Sequence, residues 1–224
     1  VALAALGLLA AAWVTLRAAC CVGREIVRAR RERRAHAAFL AVAGSFRPSL
    51  GALILDQDEP AVYCLPSGRH RVVISAGAIE SLSPEQLRAV LAHERGHLRA
   101  RHHLMVTVAA GLARAFPYVP LLAGAQAEIP LLAEMAADDS AIQRNDPGDL
   151  AAALVILARA RSRAAALTAG GTATTARIHR LLAAPPCGWP AKAGKVAAGV
   201  AAFMLPAGIA ILPLLAAGCG VPGH

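Results

Sequence analysis

Residues 1 to 23 are apolar almost without interruption, broken by Arg17, and residues 24 to 34 then carry six arginines against two glutamates. The first run is long enough to cross a bilayer as a helix if Arg17 extends its side chain to the interface. It has neither a basic leader nor a cleavage site, so it does not read as an ordinary signal peptide. A second charge-free run, Val196 to Cys219, is 24 residues long, with Pro206 and Pro213 to kink it and Lys192 and Lys195 at its front. Basic flanks stay on the cytoplasmic side of a membrane. The pattern therefore predicts transmembrane helices over 1–23 and 193–219, with a cytoplasmic domain over 24–192 between them.

Inside that domain the pattern changes period. Leu53-Ile54-Leu55, Ala61 to Leu65 and Arg71 to Ile74 read as short strands, with a turn at Pro66-Ser67-Gly68, and predict a small antiparallel sheet. Ser83-Pro84-Glu85-Gln86 reads as a capping box with proline at the first helical position. Leu87, Val90, Leu91, Leu98 and Leu104 give the apolar stripe of the helix that follows. Leu104 to Gly124 is again apolar, but Arg114 interrupts it and Pro117 and Pro120 break it. Asp146-Pro147-Gly148-Asp149 opens another helix, roughly 148 to 167. Gly170 to Thr175 reads as a small-residue loop.

Composition agrees with a membrane protein: 57% hydrophobic residues, 4% aromatic and a mean hydropathy of +0.51. The formal charge of +9 comes almost wholly from arginine, since Lys192 and Lys195 are the two lysines present. Without aromatic residues among the arginines, direct nucleic-acid binding is not expected. Arginines beside apolar runs match an anionic membrane face instead. The five cysteines have no spacing that suggests a disulfide framework or a zinc knuckle.

The chemistry lies in His93-Glu94-Arg95-Gly96-His97. Residues four apart share a helical face, so His93 and His97 can hold one metal ion. Glu94 is about 100° round the helix, close enough to take a proton from a water at that site. A site of two histidines usually takes a carboxylate as its third protein ligand. Glu134 and Asp138, four apart in Leu131 to Asp139, are the best pair for it. One can bind the metal while the other accepts the free N–H of a ligating histidine. Glu128 is a rival, although its neighbours through Pro130 read as a turn. His102 and His103 read as side chains reaching to the membrane surface.

Arg71 to Ser75, Leu82 to Glu94, His97 and the Glu134 to Asp138 element together resemble the BlaR/MecR-type membrane metallopeptidases (metallopeptidase family 56). They resemble the HtpX-like zinc endopeptidases more distantly. The resemblance covers roughly residues 50 to 145. It implies one zinc ion per chain held by His93, His97 and Glu134, with Glu94 as general base and Asp138 as a partner behind the ligands. It also sets Arg177 where relatives often carry an arginine near the active site, although Ala176 to Leu181 read alone is a solvated helix face. The receptors of that family end in a β-lactam-sensing domain, and sensing by that route is not expected from the few residues after Cys219.

The expected fold is α+β and mainly helical: a membrane-anchored, zincin-like metallopeptidase with its small antiparallel sheet beside the zinc helix. A zinc site needs its ligands on one side of the membrane. Residues 104 to 130 are therefore expected to form an interfacial or re-entrant excursion, with backbone polar groups buried in protein. The expected activity is cytoplasmic cleavage of a protein or peptide substrate, with the bilayer as partner, in signal transduction. The alternative is a non-catalytic membrane docking module for a cytoplasmic transcriptional repressor. An intramembrane protease is disfavoured because Arg88, Arg95, Arg99 and Arg101 share the zinc helix. Arg177 and His179 are candidates for stabilising the oxyanion.

Overall fold

The computed structural model describes residues 2–66, 72–164 and 171–183. The expected second transmembrane segment, 193–219, lies outside the described residues. So do the turn at Pro66 to Gly68 beyond its first residue and the end of the helix expected to reach 167.

The chain opens with α1 (Ala2–Ala43), a single helix of 42 residues, about 63 Å long at 1.5 Å per residue. Its apolar first half is exposed, with Leu3, Leu6, Leu9, Trp13 and Leu16 facing outward. Among the described residues it is the one helix long and apolar enough to cross a membrane. The arginine-rich stretch continues the same helix without a break. Its one fully buried residue, Leu40 near the far end, packs against Leu53, Leu65 and Val73.

Four short strands follow: β1 (Gly44–Arg47), β2 (Ala52–Leu55), β3 (Val62–Cys64) and β4 (Val72–Ser75). They form one sheet in the order β1-β2-β4-β3. β1 was not legible in the sequence, because Gly44-Ser45-Phe46-Arg47 lacks an alternating pattern and is a strand only by pairing with β2. The sheet is mixed rather than antiparallel: β2 and β4 run parallel, while β3 pairs antiparallel on the far side of β4. The connection through residues 56–61 crosses the sheet end and places β3 outside β4. Gly77 makes room for it, since a Cβ there would lie 1.8 Å from the Asp58 carbonyl oxygen. Gly77 N–H also donates to Gln57 O at 2.9 Å, pinning the crossing.

Alternation along β4 divides the core. Val73 faces the end of α1, while Val72 and Ile74 face a second cluster. That cluster is completed by α2 (Ala76–Ser81), α3 (Pro84–Ala100) and α6 (Pro147–Ala164), through Ala78, Leu87, Val90, Leu91, Leu150 and Leu157.

Between α3 and α6, α4 (His102–Ala115) and α5 (Pro120–Ala141) form a helical hairpin. α4 ends at Ala115, just before Pro117, and Pro120 occupies the start of α5. Pro130 does not break α5, so the turn expected around Glu128 is absent and residues 125–130 are helical. α4 lies antiparallel along α1. Gly111 meets Val22 so closely that a Cβ would come 2.7 Å from the Val22 Cα. Arg17 Nε donates to Ala115 O at 2.6 Å, and Arg114 pairs with Glu25. The tip carries Tyr118 and Leu121, 95% and 71% exposed. Finally, α7 (Gly171–Ala183) occupies part of the stretch expected to be a loop, and Ile178 and Leu181 pack it onto the second core cluster.

Candidate metal centre

The helix that carries the central pentad is phased by its cap. Ser83 Oγ accepts from Gln86 N–H at 3.2 Å and Gln86 Oε1 accepts from Ser83 N–H at 3.0 Å, with Pro84 opening the helix as the sequence predicts. Leu87, Val90 and Leu91 then turn into the core, and the next turn presents His93, Glu94 and His97 to a cavity of about 390 Å³. β3 forms another wall of that cavity through Val62, Tyr63 and Cys64. β3 is one of the two outer strands of the sheet, with β4 on one side alone.

α5 closes over α3 where small residues meet, Gly96 on one and Ala137 on the other, and Arg99 Nη2 donates to Ser140 Oγ at 2.9 Å across the contact. That packing delivers Glu134. His93 Nε2 and His97 Nε2 are 3.0 Å apart, and Glu134 approaches them at 3.5 and 3.3 Å with its two carboxylate oxygens. Four-coordinate zinc with bonds near 2.0–2.2 Å separates its ligand atoms by about 3.4 Å, so this donor set suits it. Among the described residues, no other group of three such side chains is close enough to share a metal. Glu128 is exposed on the same helix and does not join.

Behind the donors lies a buried charged network. Arg177, on α7, is 7% exposed. Its Nε and Nη2 donate to Asp138 at 2.8 and 2.7 Å, and its Nη1 reaches Glu134 Oε2 at 2.6 Å. The solvated face expected for Ala176 to Leu181 is therefore corrected at Arg177, because two carboxylates of α5 satisfy the guanidinium inside the protein. With its N–H groups so engaged, Arg177 orients Glu134 and Asp138. His179 is exposed and does not line the cavity. Arg180, a turn on, donates to Met135 O at 2.8 Å and fixes α7 against α5.

Asp138, fully buried, also lies 2.9 Å from His93 Nδ1. That approach is short but poorly aligned, so the nitrogen has no in-line hydrogen bond. Burial by itself would lower the His93 pKa, yet the Asp138 and Glu134 carboxylates beside its ring outweigh it and raise the value to about 9. Burial would raise both carboxylates, but Glu134 is held well below its usual range by the two histidines and Arg177, and Asp138 below its own by Arg177 and His93. Glu94 moves the opposite way: burial dominates and raises it, the direction that suits a proton acceptor. Beside it, burial and the Glu94 charge push the Cys64 thiol up to about 12.

His102 departs from its expected place at the membrane surface. It is buried, with Nδ1 2.9 Å from His97 Nδ1. Sequence spacing gave no hint of this, because the contact depends on a break in the helix at Arg101.

Residues 28–179 match the family described as Peptidase family M48. A stretch of 72 residues, 31% of this chain, is 35% identical to the protease HtpX homologue of Thermodesulfovibrio yellowstonii (strain ATCC 51303 / DSM 11347 / YP87). The match spans 26% of that relative's length. Both findings fall on the HtpX-like side of the resemblance read from the sequence, and the BlaR/MecR side has no such support.

Proposed function

This chain belongs to peptidase family M48, and from that premise we propose that it is a membrane-anchored zinc metalloendopeptidase acting on a protein or peptide substrate. The observation that carries the reading is the convergence of His93, His97 and Glu134 around one point, with Glu94 on the same cavity wall. Those three side chains would hold one zinc ion per chain. The chemistry zinc supplies at such a site is Lewis acidity toward water and the scissile carbonyl.

The remaining steps belong to the chain's own residues. An extended substrate adds to the free edge of β3, its main chain pairing as another strand. Its scissile carbonyl then lies over the α3 side of the cavity. Glu94, poised by burial, takes the proton of the attacking water and passes it to the leaving amine. Asp138 and Arg177 hold His93 and Glu134 in place. The fold reading that accompanies this is zincin-like, a helix-borne site beside an edge strand.

The α1 helix anchors the enzyme, and the arginines of residues 24–34 support a cytoplasmic catalytic domain. Residues 24–192 are that domain, 193–219 a second membrane segment, and the α4–α5 tip an excursion into the near leaflet alongside α1. A signalling role with a transcriptional repressor as partner stays an extension of the sequence reading. No feature of the described residues favours the docking alternative over catalysis.

The test is metal content and cleavage together, in full-length protein in detergent. Wild type is expected to carry about one zinc per chain and to cleave an unfolded test protein. Glu134→Ala should lose the zinc, whereas Glu94→Gln should keep it and fall in rate by at least about 10²-fold. Folded wild type without zinc, or an active Glu94→Gln, would defeat the proposal.

A further inference from the structure

On an unbroken helix, a residue five positions after His97 would point about 140° away from it. The chain is broken at Arg101, whose φ of 52° and ψ of 39° are left-handed. The Arg101 N–H closes α3 on the His97 and Leu98 carbonyls, and α4 starts afresh at His102. This change of direction returns the His102 ring to the rear of His97. The rings meet edge to face, 87° apart with centroids at 4.9 Å, and the two Nδ1 atoms are 2.9 Å apart.

At that separation one nitrogen donates and the other accepts. The His97 Nε2 faces His93 and Glu134, and a ring nitrogen that binds a metal must present its lone pair. The proton of neutral His97 therefore belongs on Nδ1, and His102 Nδ1 must be the acceptor. We propose that His102 is a positioning residue of the metal centre, accepting the His97 Nδ1–H and so fixing His97 in the tautomer and orientation that leave Nε2 free for zinc. This rests on the metallopeptidase reading. His102 stands behind the ligand, so it is not itself in the donor set. The two ligating imidazoles are thus backed differently, His93 by the carboxylate of Asp138 and His97 by a neutral imidazole.

Two variants of the full-length protein test the assignment. His102→Asn sets a carbonyl oxygen near the place of Nδ1 and keeps an acceptor. His102→Leu fills the space and offers none. Zinc affinity is read by competition with a chelator, and the His97 tautomer by histidine nitrogen NMR of the metal-free protein in detergent. Metal-free wild type should show the His97 proton on Nδ1. His102→Leu should lose about 10–100-fold in zinc affinity and show mixed His97 tautomers, while His102→Asn stays within about threefold of wild type.

Wild-type affinity in His102→Leu, or an equal loss in His102→Asn, overturns the proposal. If His102→Leu does not fold, the wild-type tautomer and His102→Asn still decide, and a His97 proton found on Nε2 refutes it. Wild type that takes up no zinc overturns the metallopeptidase reading and this proposal with it. That failure is distinct, because in the others wild type still binds.

Discussion

Arg177 makes the largest energetic claim of any single side chain in the site. A buried guanidinium facing two carboxylates contributes little net stability against a well-packed apolar substitute, yet removing one partner strands the rest. Arg177→Ala is expected to cost about 3–5 kcal/mol, because Asp138 is left charged and buried. Arg177→Lys should recover part of that, since an ammonium cannot reproduce the paired geometry. Denaturant unfolding of metal-free protein in detergent checks both, and a loss below about 1 kcal/mol in Arg177→Ala would contradict the network. Cys64 gives a second residue-scale test. Its thiol is raised from 9.0 to about 12, so at pH 8 the folded, metal-free protein should hold roughly 10²–10³ less Cys64 thiolate than the unfolded chain. Alkylation followed by mass spectrometry should show that slowing, with the rate climbing as pH rises. Equal rates folded and unfolded would refute it.

Among the elements, the contact that decides most is α4 against α1. Gly111 has no room for a side chain there, because the atom in the way is Val22 backbone. Gly111→Ala should force the helices apart and cost about 1–3 kcal/mol by overpacking. Gly23, on α1 with nothing within 4 Å, is the control: Gly23→Ala should be neutral or stabilise by up to about 1 kcal/mol through helix propensity. Thermal unfolding of the two variants side by side tests the contrast, and equal effects would mean that the close approach does not hold. The elements also differ in how far they could be read. The start of α3 was legible because Ser83, Pro84 and Gln86 are a local code. β1 and the course of α5 through Pro130 were not, since pairing and packing overrode local preference there.

At the scale of the whole molecule, α1 and the α4–α5 hairpin both expose large apolar side chains. Arg17 bonded to the end of α4 sets the level of the hairpin tip against the apolar half of α1. An outward Leu121 costs least free energy among acyl chains, and an outward Tyr118 at their boundary with the headgroups, where its hydroxyl keeps a partner. With tryptophan placed at position 118 and Trp13 and Trp189 replaced by phenylalanine, fluorescence in vesicles should be quenched by lipids brominated along the chain. Quenching by aqueous iodide alone would place the tip in water and remove the re-entrant reading.

What the sequence determined by itself was everything set by neighbours along the chain. The apolar run and its arginine flank, the capped helix, and the four-residue spacings of His93 with His97 and of Glu134 with Asp138 all follow from the 3.6-residue repeat and local hydrogen bonding. What only the tertiary structure decided was every meeting between distant segments: Arg177 with Asp138, Cys64 with Glu94, and the return of His102 to His97 across a left-handed residue. The mixed order of the sheet belongs there too. Such contacts depend on how elements pack, and burial of charge becomes favourable only once its partner is in place, which no local pattern records.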